Sequence, residues 1–503
     1  MTSPANPRMN RSDGACEAQA SWRLTRAERI SLAVALLVAI VFGVVLERRT
    51  ALRTEPMGDL GVFARAAWAV RSGENLYTVD WRSWHYHYPP LMAILMTPLA
   101  HPPLDPAPPK KLRTRQNTPW GYHVNGPTQY YPLGRANIRF FFIVATWCGI
   151  NILLLLASLH ALGCSLEGRA FRDGPPRDEK DRRRWWTLRT IPALLCAGSI
   201  GTEFSVGQVD LVMVCAFAFA VYFAGRRRDW SGGICLSFPA CVKLFPPLFL
   251  AYPFWRRRWR MVAATVAGLI LALAIVPAIA LGPTRTVTLY KTWFRVLALP
   301  AVGESNDGSR TKELLGMNNT DNQSLLAFIH NCTYFDMPTE QRPIEASPFT
   351  RKAVYAFGGV LLLGILAADR RRHDTPRSRA IFVGLLTALT LVLSPVTHGF
   401  YFITLLPLLA GLTDRWMADG IPASERTTLA LILGLFMFAD IFRQIPPISD
   451  FMKDLGLPLL ILLALMAVGA LVLEREGALE ITVTEIEQKE PSACSWRELR
   501  ARH

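Results

Sequence analysis

The chain has 503 residues, 51% of them hydrophobic, with a mean hydropathy of +0.22 and a formal charge of +16. Long apolar runs separated by short charged clusters describe a polytopic membrane protein and exclude an ordinary soluble domain. The basic excess needs no nucleic-acid partner: it sits at the ends of apolar runs, as RRRDW at Arg226, RRRWR at Arg256 and DRRRH at Asp369, where the positive-inside rule accounts for it.

In chain order, residues 1–29 carry Arg23, Arg26 and Arg29, and no small-residue cleavage motif follows the first apolar run, 30–46. They read as a cytoplasmic tail ahead of a signal anchor. The next stretch, 58–98, opens with Asp59, continues as an amphipathic segment and ends in HYHYPPL. Residues 89–100 begin with two prolines and are too short to span, so they read as interfacial or re-entrant. HPPLDPAPPKKLRTRQNTPW, from His101, reads as an external loop with polyproline character.

Further spans are expected at 138–162, 187–200, 206–224, 261–281, 353–368, 380–396, 400–412, 427–445 and 455–473. Between the arginine clusters at Arg226 and Arg256 lies an apolar segment whose two ends are on the same side. It reads as a re-entrant hairpin broken at Lys243 to Pro247, because Pro246 and Pro247 disrupt helical hydrogen bonding. The expected fold is an all-α polytopic bundle of about 10 to 12 transmembrane helices. Its catalytic domain covers 30–473, with outer loops 47–137 and 283–352, and a cytoplasmic tail follows at 474–503.

If the arginine-bearing tail is inside, alternation places the Glu167 loop and the Arg226, Arg256 and Asp369 clusters inside too. The same count gathers Asp59, the turn from Glu203 to Gln208, Lys243, the run from Asn318 to Ser324 and His398 on the outer face. Each has a structural reading beside the chemical one. Asp59 can accept a proton from an attacking hydroxyl or cap a helix. Lys243 can meet a phosphate or snorkel to the interface. His398, in SPVTHGFYF, can serve a phosphate leaving group or bond backbone. Gln208 and Asp210, with Glu203 upstream, can bind sugar hydroxyls or cap a helix, and the amides of Asn322 and Gln323 can bind carbohydrate or close a turn. His85 and His87 are two apart, but no third ligand stands at metal-binding spacing, and no metal site is expected. The nine cysteines show no C-x-x-C spacing, and Cys148, Cys196, Cys215, Cys235 and Cys241 fall in apolar runs, where they read as small buried hydrophobes.

Taken in order, Asp59 after the first span, GENLY at Gly73, HYPPL at His87, VGQVDL at Val206, VKLFPPLFL at Val242, NQSLLAF at Asn322 and SPVTHGFYF at Ser394 resemble glycosyltransferase family 87. These are polyprenol-phosphate-mannose-dependent enzymes of the GT-C superfamily. The resemblance runs from the first span to about Leu412. It implies an inverting transfer of a sugar, with mannose as the family default, from a polyprenyl-phosphate donor to a lipid-linked or glycan acceptor outside a bacterial plasma membrane. By the same resemblance Asp59 is the general base, His398 is catalytic, and Lys243, Gln208, Asn322, Gln323, His87 and Tyr88 bind the donor phosphate or substrate. It implies no cofactor beyond the donor substrate and membrane lipids. Residues 101–137 are longer than expected of the family, and the last motif reads THGFYF rather than an aromatic beside His-Tyr. A polytopic lipid or solute transporter, with Asp59, Lys243 and Glu203 as a charge relay, is the competing class.

Overall fold

A computed structural model describes residues 24–49, 58–77, 85–101, 115–118, 121–124, 138–243, 247–302, 316–370, 372 and 374–489. Most of the 101–137 insertion and the outermost tail residues lie outside this set. Apart from a short antiparallel ladder pairing β1 (Arg115–Thr118) with β2 (Gly121–Val124), the described regular structure is helical.

The chain begins with α1 (Arg26–Arg49), continues through the short helices α2 (Asp59–Ser72) and α3 (Pro90–Leu95), and reaches the long apolar α4 (Ile138–Glu167). The expected span at 187–200 is two pieces, α5 (Glu179–Leu195) and α6 (Ala197–Val206), jointed at Cys196 after Pro192 interrupts the ladder of hydrogen bonds. A glycine turn leads to α7 (Asp210–Gly225), and the Arg226 cluster turns the chain into α8 (Asp229–Val242). Lys243 is extended, and after residues 244–246, which lie outside the described set, a short 3-10 turn and α9 (Ala251–Trp255) lead to the second arginine cluster. Next come α10 (Trp259–Ile270), a π-turn and α11 (Val276–Leu281), which form one continuous apolar rod, followed by α12 (Pro283–Trp293).

After residue 316, α13 (Leu325–Thr333) precedes α14 (Pro348–Ala368) and α15 (Pro376–Leu393). The run expected at 400–412 begins as a 3-10 helix, Gly399–Leu405, before continuing as α16 (Leu406–Met417). Finally α17 (Ala423–Phe442), α18 (Pro446–Asp454) and α19 (Leu457–Lys489) complete the chain, the last continuing past the expected end of its span at 473. Six helical segments are long and apolar enough to cross a membrane, which marks an integral membrane protein: Glu28–Glu47, Phe140–Glu167, Trp259–Leu281, Pro348–Ala368, Pro376–Leu393 and Leu457–Glu476. The other expected spans are short, as in α7, or jointed, as in α5 and α6, or carry charge along their length, as in α17 with Glu425, Arg426 and Asp440.

The bundle is built around α15, whose residues from Ser378 to Leu393 are all buried. Glycines set its closest packing: a side chain at Gly384 would meet the backbone of Leu408, and one at Gly411 would meet Ile381. By contrast α1 leaves most of its apolar surface uncovered, so lipid is its main neighbour. At one end the arginine clusters converge. Arg256 pairs with Asp369 at 2.9 Å, and Arg258 pairs with Asp229 at 2.6 Å and with Asp374 at 3.8 Å. Because α7 begins at Asp210 and α8 ends at Lys243, those two residues meet at the opposite end.

Candidate active site

Two glycines build this site. Gly58, with φ +121°, precedes α2 and presses so close to the end of α6 that a Cβ there would lie 2.8 Å from the Val206 carbonyl oxygen. Gly207, with φ +70°, ends α6 in the left-handed conformation, where a Cβ would lie 2.6 Å from that of Leu60. The reciprocal contact interlocks the start of α2 with the α6–α7 turn. Asp59 therefore faces Gln208, whose Nε2 donates to Asp59 Oδ2.

From there a polar chain runs inward. Gln208 Oε1 accepts from Lys243 Nζ at 3.4 Å, and the same ammonium lies 2.7 Å from Asp210 Oδ1. Lys243 is 2% exposed and Asp210 0%. Glu203, at the end of α6, uses Oε1 to accept from the backbone N–H groups of Asp210 at 2.8 Å and Leu211 at 3.3 Å, so it caps α7 from the preceding helix. The Lys243 ammonium also sits 3.8 Å from the centre of the Tyr401 ring, a cation–π contact. Burial lifts the Asp59 carboxyl above its ordinary range, while the Gln208 amide and then the Lys243 ammonium oppose the rise.

The HYHYPP segment forms the neighbouring wall. Tyr86 Oη donates to the Pro89 carbonyl at 2.8 Å, Tyr77 Oη to the Tyr88 carbonyl at 2.9 Å, and Trp293 Nε1 to the His87 carbonyl at 3.1 Å. These bonds pin the backbone so that Tyr88 stacks on Phe63 of α2, ring centres 5.3 Å apart, and lies 5.9 Å from Lys243. His87 lies within electrostatic reach of Asp59. Among the described residues no group of three or more His, Cys, Asp or Glu side chains could hold a metal ion.

His398 stands beside both aromatic rings that face Lys243, its ring centre 5.7 Å from that of Tyr401 and 5.6 Å from that of Phe400. It bonds the backbone at Asp321, and burial pushes the imidazole below its usual range, with the Asp321 carboxylate opposing. Asn322 and Gln323 spend their polar groups on the turn that carries it. Asn322 Nδ2 donates to the Pro395 carbonyl at 2.9 Å and its Oδ1 accepts from the Thr397 N–H at 2.9 Å; the Gln323 N–H donates to the Thr397 carbonyl at 2.7 Å. Gln323 Nε2 donates to the Thr320 carbonyl at 2.6 Å, leaving its buried Oε1 without a partner among the described residues.

Sequence reasoning did not single out the supports behind this turn. Arg443 Nη2 donates to the Gly399 carbonyl at 2.8 Å and pairs with Asp440 at 3.0 Å, and Ser199 Oγ donates to Asp440 with the Gly399 carbonyl 3.0 Å away. Lys453 of α18 pairs with Asp321 beside His398. These residues follow the last recognisable motif; the available signal was charge within or beside otherwise apolar helices.

The profile of glycosyltransferase family 87 matches residues 86–395, more than half of the chain. The chain belongs to glycosyltransferase family 87. The match includes Tyr86, Gln208, Lys243 and Asn322, while Asp59 and His398 flank it. The chain is also similar to the polyprenol-phosphate-mannose-dependent alpha-(1-2)-phosphatidylinositol mannoside mannosyltransferase of Mycobacterium tuberculosis, at 26% identity over 124 residues. That match covers 24% of this family 87 chain and spans 29% of the relative's length.

Proposed function

We propose that this protein is a membrane glycosyltransferase that moves a sugar, mannose by likeness to its relative, from a polyprenyl-phosphate donor to an acceptor hydroxyl outside the membrane. The observation that carries this reading is Asp59. It is a half-buried carboxylate whose affinity for a proton is raised by burial, held by Gln208 at the edge of a buried cluster. Such a group can take the proton from an acceptor hydroxyl as that oxygen attacks the anomeric carbon. The bond from that carbon to the phosphate oxygen breaks, and the phosphate leaves with the electron pair, inverting the centre.

In this reading Lys243 offsets the carboxylates of Asp210 and Glu203, and so favours the ionised, basic form of Asp59. The phosphate lies toward His398 and Lys453, where the Lys453 ammonium beside Asp321 offsets the developing negative charge and the imidazole shapes the wall. Asn322, Gln323 and Arg443 hold the turn that aims His398. The arginine clusters at the opposite end of α7 and α8 support an extracytoplasmic site, with both termini inside, by the positive-inside rule. The polar cluster's place at the ends of α7 and α8, rather than midway along them, favours an enzyme over a transporter's relay.

The test is sugar transfer by purified protein in lipid nanodiscs, supplied with radiolabelled polyprenyl-phosphate mannose and a membrane-lipid extract. Transfer by the wild type that Asp59→Asn abolishes supports the reading. Transfer by both moves the base to another residue. Transfer by neither, with both folded, counts against the mannosyl donor.

A further inference from the structure

Beside Asp59 runs a crevice that the chemistry above does not use. Leu46 of α1, Leu60 of α2, Val144 and Asn151 of α4, and Phe204 and Gly207 at the end of α6 are among the residues lining it. Leu60 and Gly207 are the chain neighbours of Asp59 and Gln208, so the crevice lies beside the carboxylate without including it; it is narrow, with a volume of about 10 Å³, and widens only as α1 moves. Its walls are largely apolar, yet Asn151 is only 1% exposed and neither atom of its amide has a hydrogen-bond partner among the described residues. Both carboxylate oxygens of Glu47, next to Leu46, are buried in the same condition. A buried amide that lines a crevice unpartnered is a position where a ligand's polar group would be favoured.

The geometry also gives a level and a way in. Trp147 Nε1 donates to the Gln208 carbonyl at 3.2 Å, so Trp147 is level with the site, and Asn151 lies one helical turn, about 6 Å, further into the membrane. The outer wall, α1, is weakly covered by protein and meets α6 through an edge contact of Phe42 on Phe204, ring centres 6.1 Å apart. Glu28 near the start of α1 pairs with Arg182 and accepts from Trp186 of α5, so that end is anchored, and only the end that carries Phe42 and Leu46 has freedom to swing aside.

We infer that this crevice admits a lipid-linked acceptor between α1 and α4, with the Asn151 amide hydrogen-bonding the hydroxyls of its headgroup one turn below Asp59. The inference rests on the transferase reading and narrows its acceptor to an amphiphile. An amide both donates and accepts, as hydroxyls require, and the apolar walls suit the chain that carries the headgroup. The donor phosphate is left the opposite side, toward His398 and Lys453.

The experiment measures saturable binding of tritiated octyl α-mannoside, a minimal hydroxylated amphiphile, to the full chain in nanodiscs, so no sugar transfer is needed. The wild type and Asp59→Asn bind it. Asn151→Leu keeps or raises the melting temperature, because an unpartnered amide is gone, but loses at least tenfold in affinity. Octylphosphocholine, with the same chain and no hydroxyl, fails to compete. Equal binding by Asn151→Leu and the wild type overturns the assignment, as does competition by octylphosphocholine equal to that of unlabelled octyl mannoside. Should the leucine variant lose its melting transition, Asn151→Ala, which only deletes the amide, repeats the comparison. Binding that depends on Asn151 in a wild type that transfers no sugar counts against the mannosyl donor and leaves the crevice standing. Transfer with acceptor KM unchanged by Asn151→Leu does the reverse.

Discussion

The Lys243 ammonium lies 2.7 Å from Asp210 Oδ1, and both side chains are shut away from solvent. Each charge is costly there without the other, since the ion pair is the main offset to the desolvation of both. The pair joins α7 to the extended residue that ends α8. It therefore ties the packing of α7 against α8 to the electrostatics of Asp59.

Lys243→Met leaves Asp210 ionised and uncompensated, and is expected to destabilise the protein by about 3 to 5 kcal/mol. Lys243→Met combined with Asp210→Leu removes both charges and recovers most of that loss. Unfolding of the three proteins in one detergent measures it; equal losses in the single and double variants would show that the pair has no such coupling.

Asp59→Asn is expected to lower transfer by about a hundredfold to ten-thousandfold, the range typical of a lost general base. Its stability moves the other way. Because burial raises the Asp59 pKa in the folded state above its ordinary value of 3.8, the folded protein holds that proton more tightly than the unfolded chain. The contribution is fully present below pH 3.8 and is lost as pH rises through the folded value. At pH 7 the ionised carboxylate costs stability, so the asparagine variant melts higher than the wild type there and the gap closes in acid. A variant that melts lower at pH 7 would contradict this.

Transfer needs ionised Asp59, so the acid limb of kcat/KM lies above the ordinary value of 3.8. Gln208→Leu removes the hydrogen bond that most strongly opposes the rise, and moves the limb to higher pH. A limb unmoved by this substitution would separate Gln208 from the ionisation of the base.

Gly207→Ala puts a methyl group against Leu60 and forces a left-handed backbone on alanine, at about 1 to 2 kcal/mol for the backbone alone. Because the same contact aligns α2 with the α6–α7 turn, activity falls more than stability does. Gly420, also left-handed at φ +76° but with open space around it, is the control: Gly420→Ala carries the backbone cost without the loss of transfer.

Asn322→Ala leaves the buried Thr397 N–H without the side-chain oxygen it donates to, which costs about 1 to 3 kcal/mol. If Asn322 positions the 394–398 turn, kcat falls while acceptor KM holds. A rise in KM at constant kcat would return Asn322 to direct contact with substrate.

Hydrophobic runs and arginine clusters by themselves determined that this is a multi-pass helical protein, and the order of short motifs pointed to the family. Asp59, Gln208 and Lys243 were legible as candidates because polar residues at the ends of apolar helices are costly unless something uses them. Their contact was not legible. Asp59 and Gln208 are 149 positions apart, and what joins them is the absence of a side chain at Gly58 and Gly207, which no hydrophobic period records. Likewise Arg443, Asp440 and Ser199 look like stray polar residues until folding sets Ser199 beside a residue 241 positions away. Periodicity reports how each helix meets its average surroundings; only close packing decided which polar groups face one another across the bundle.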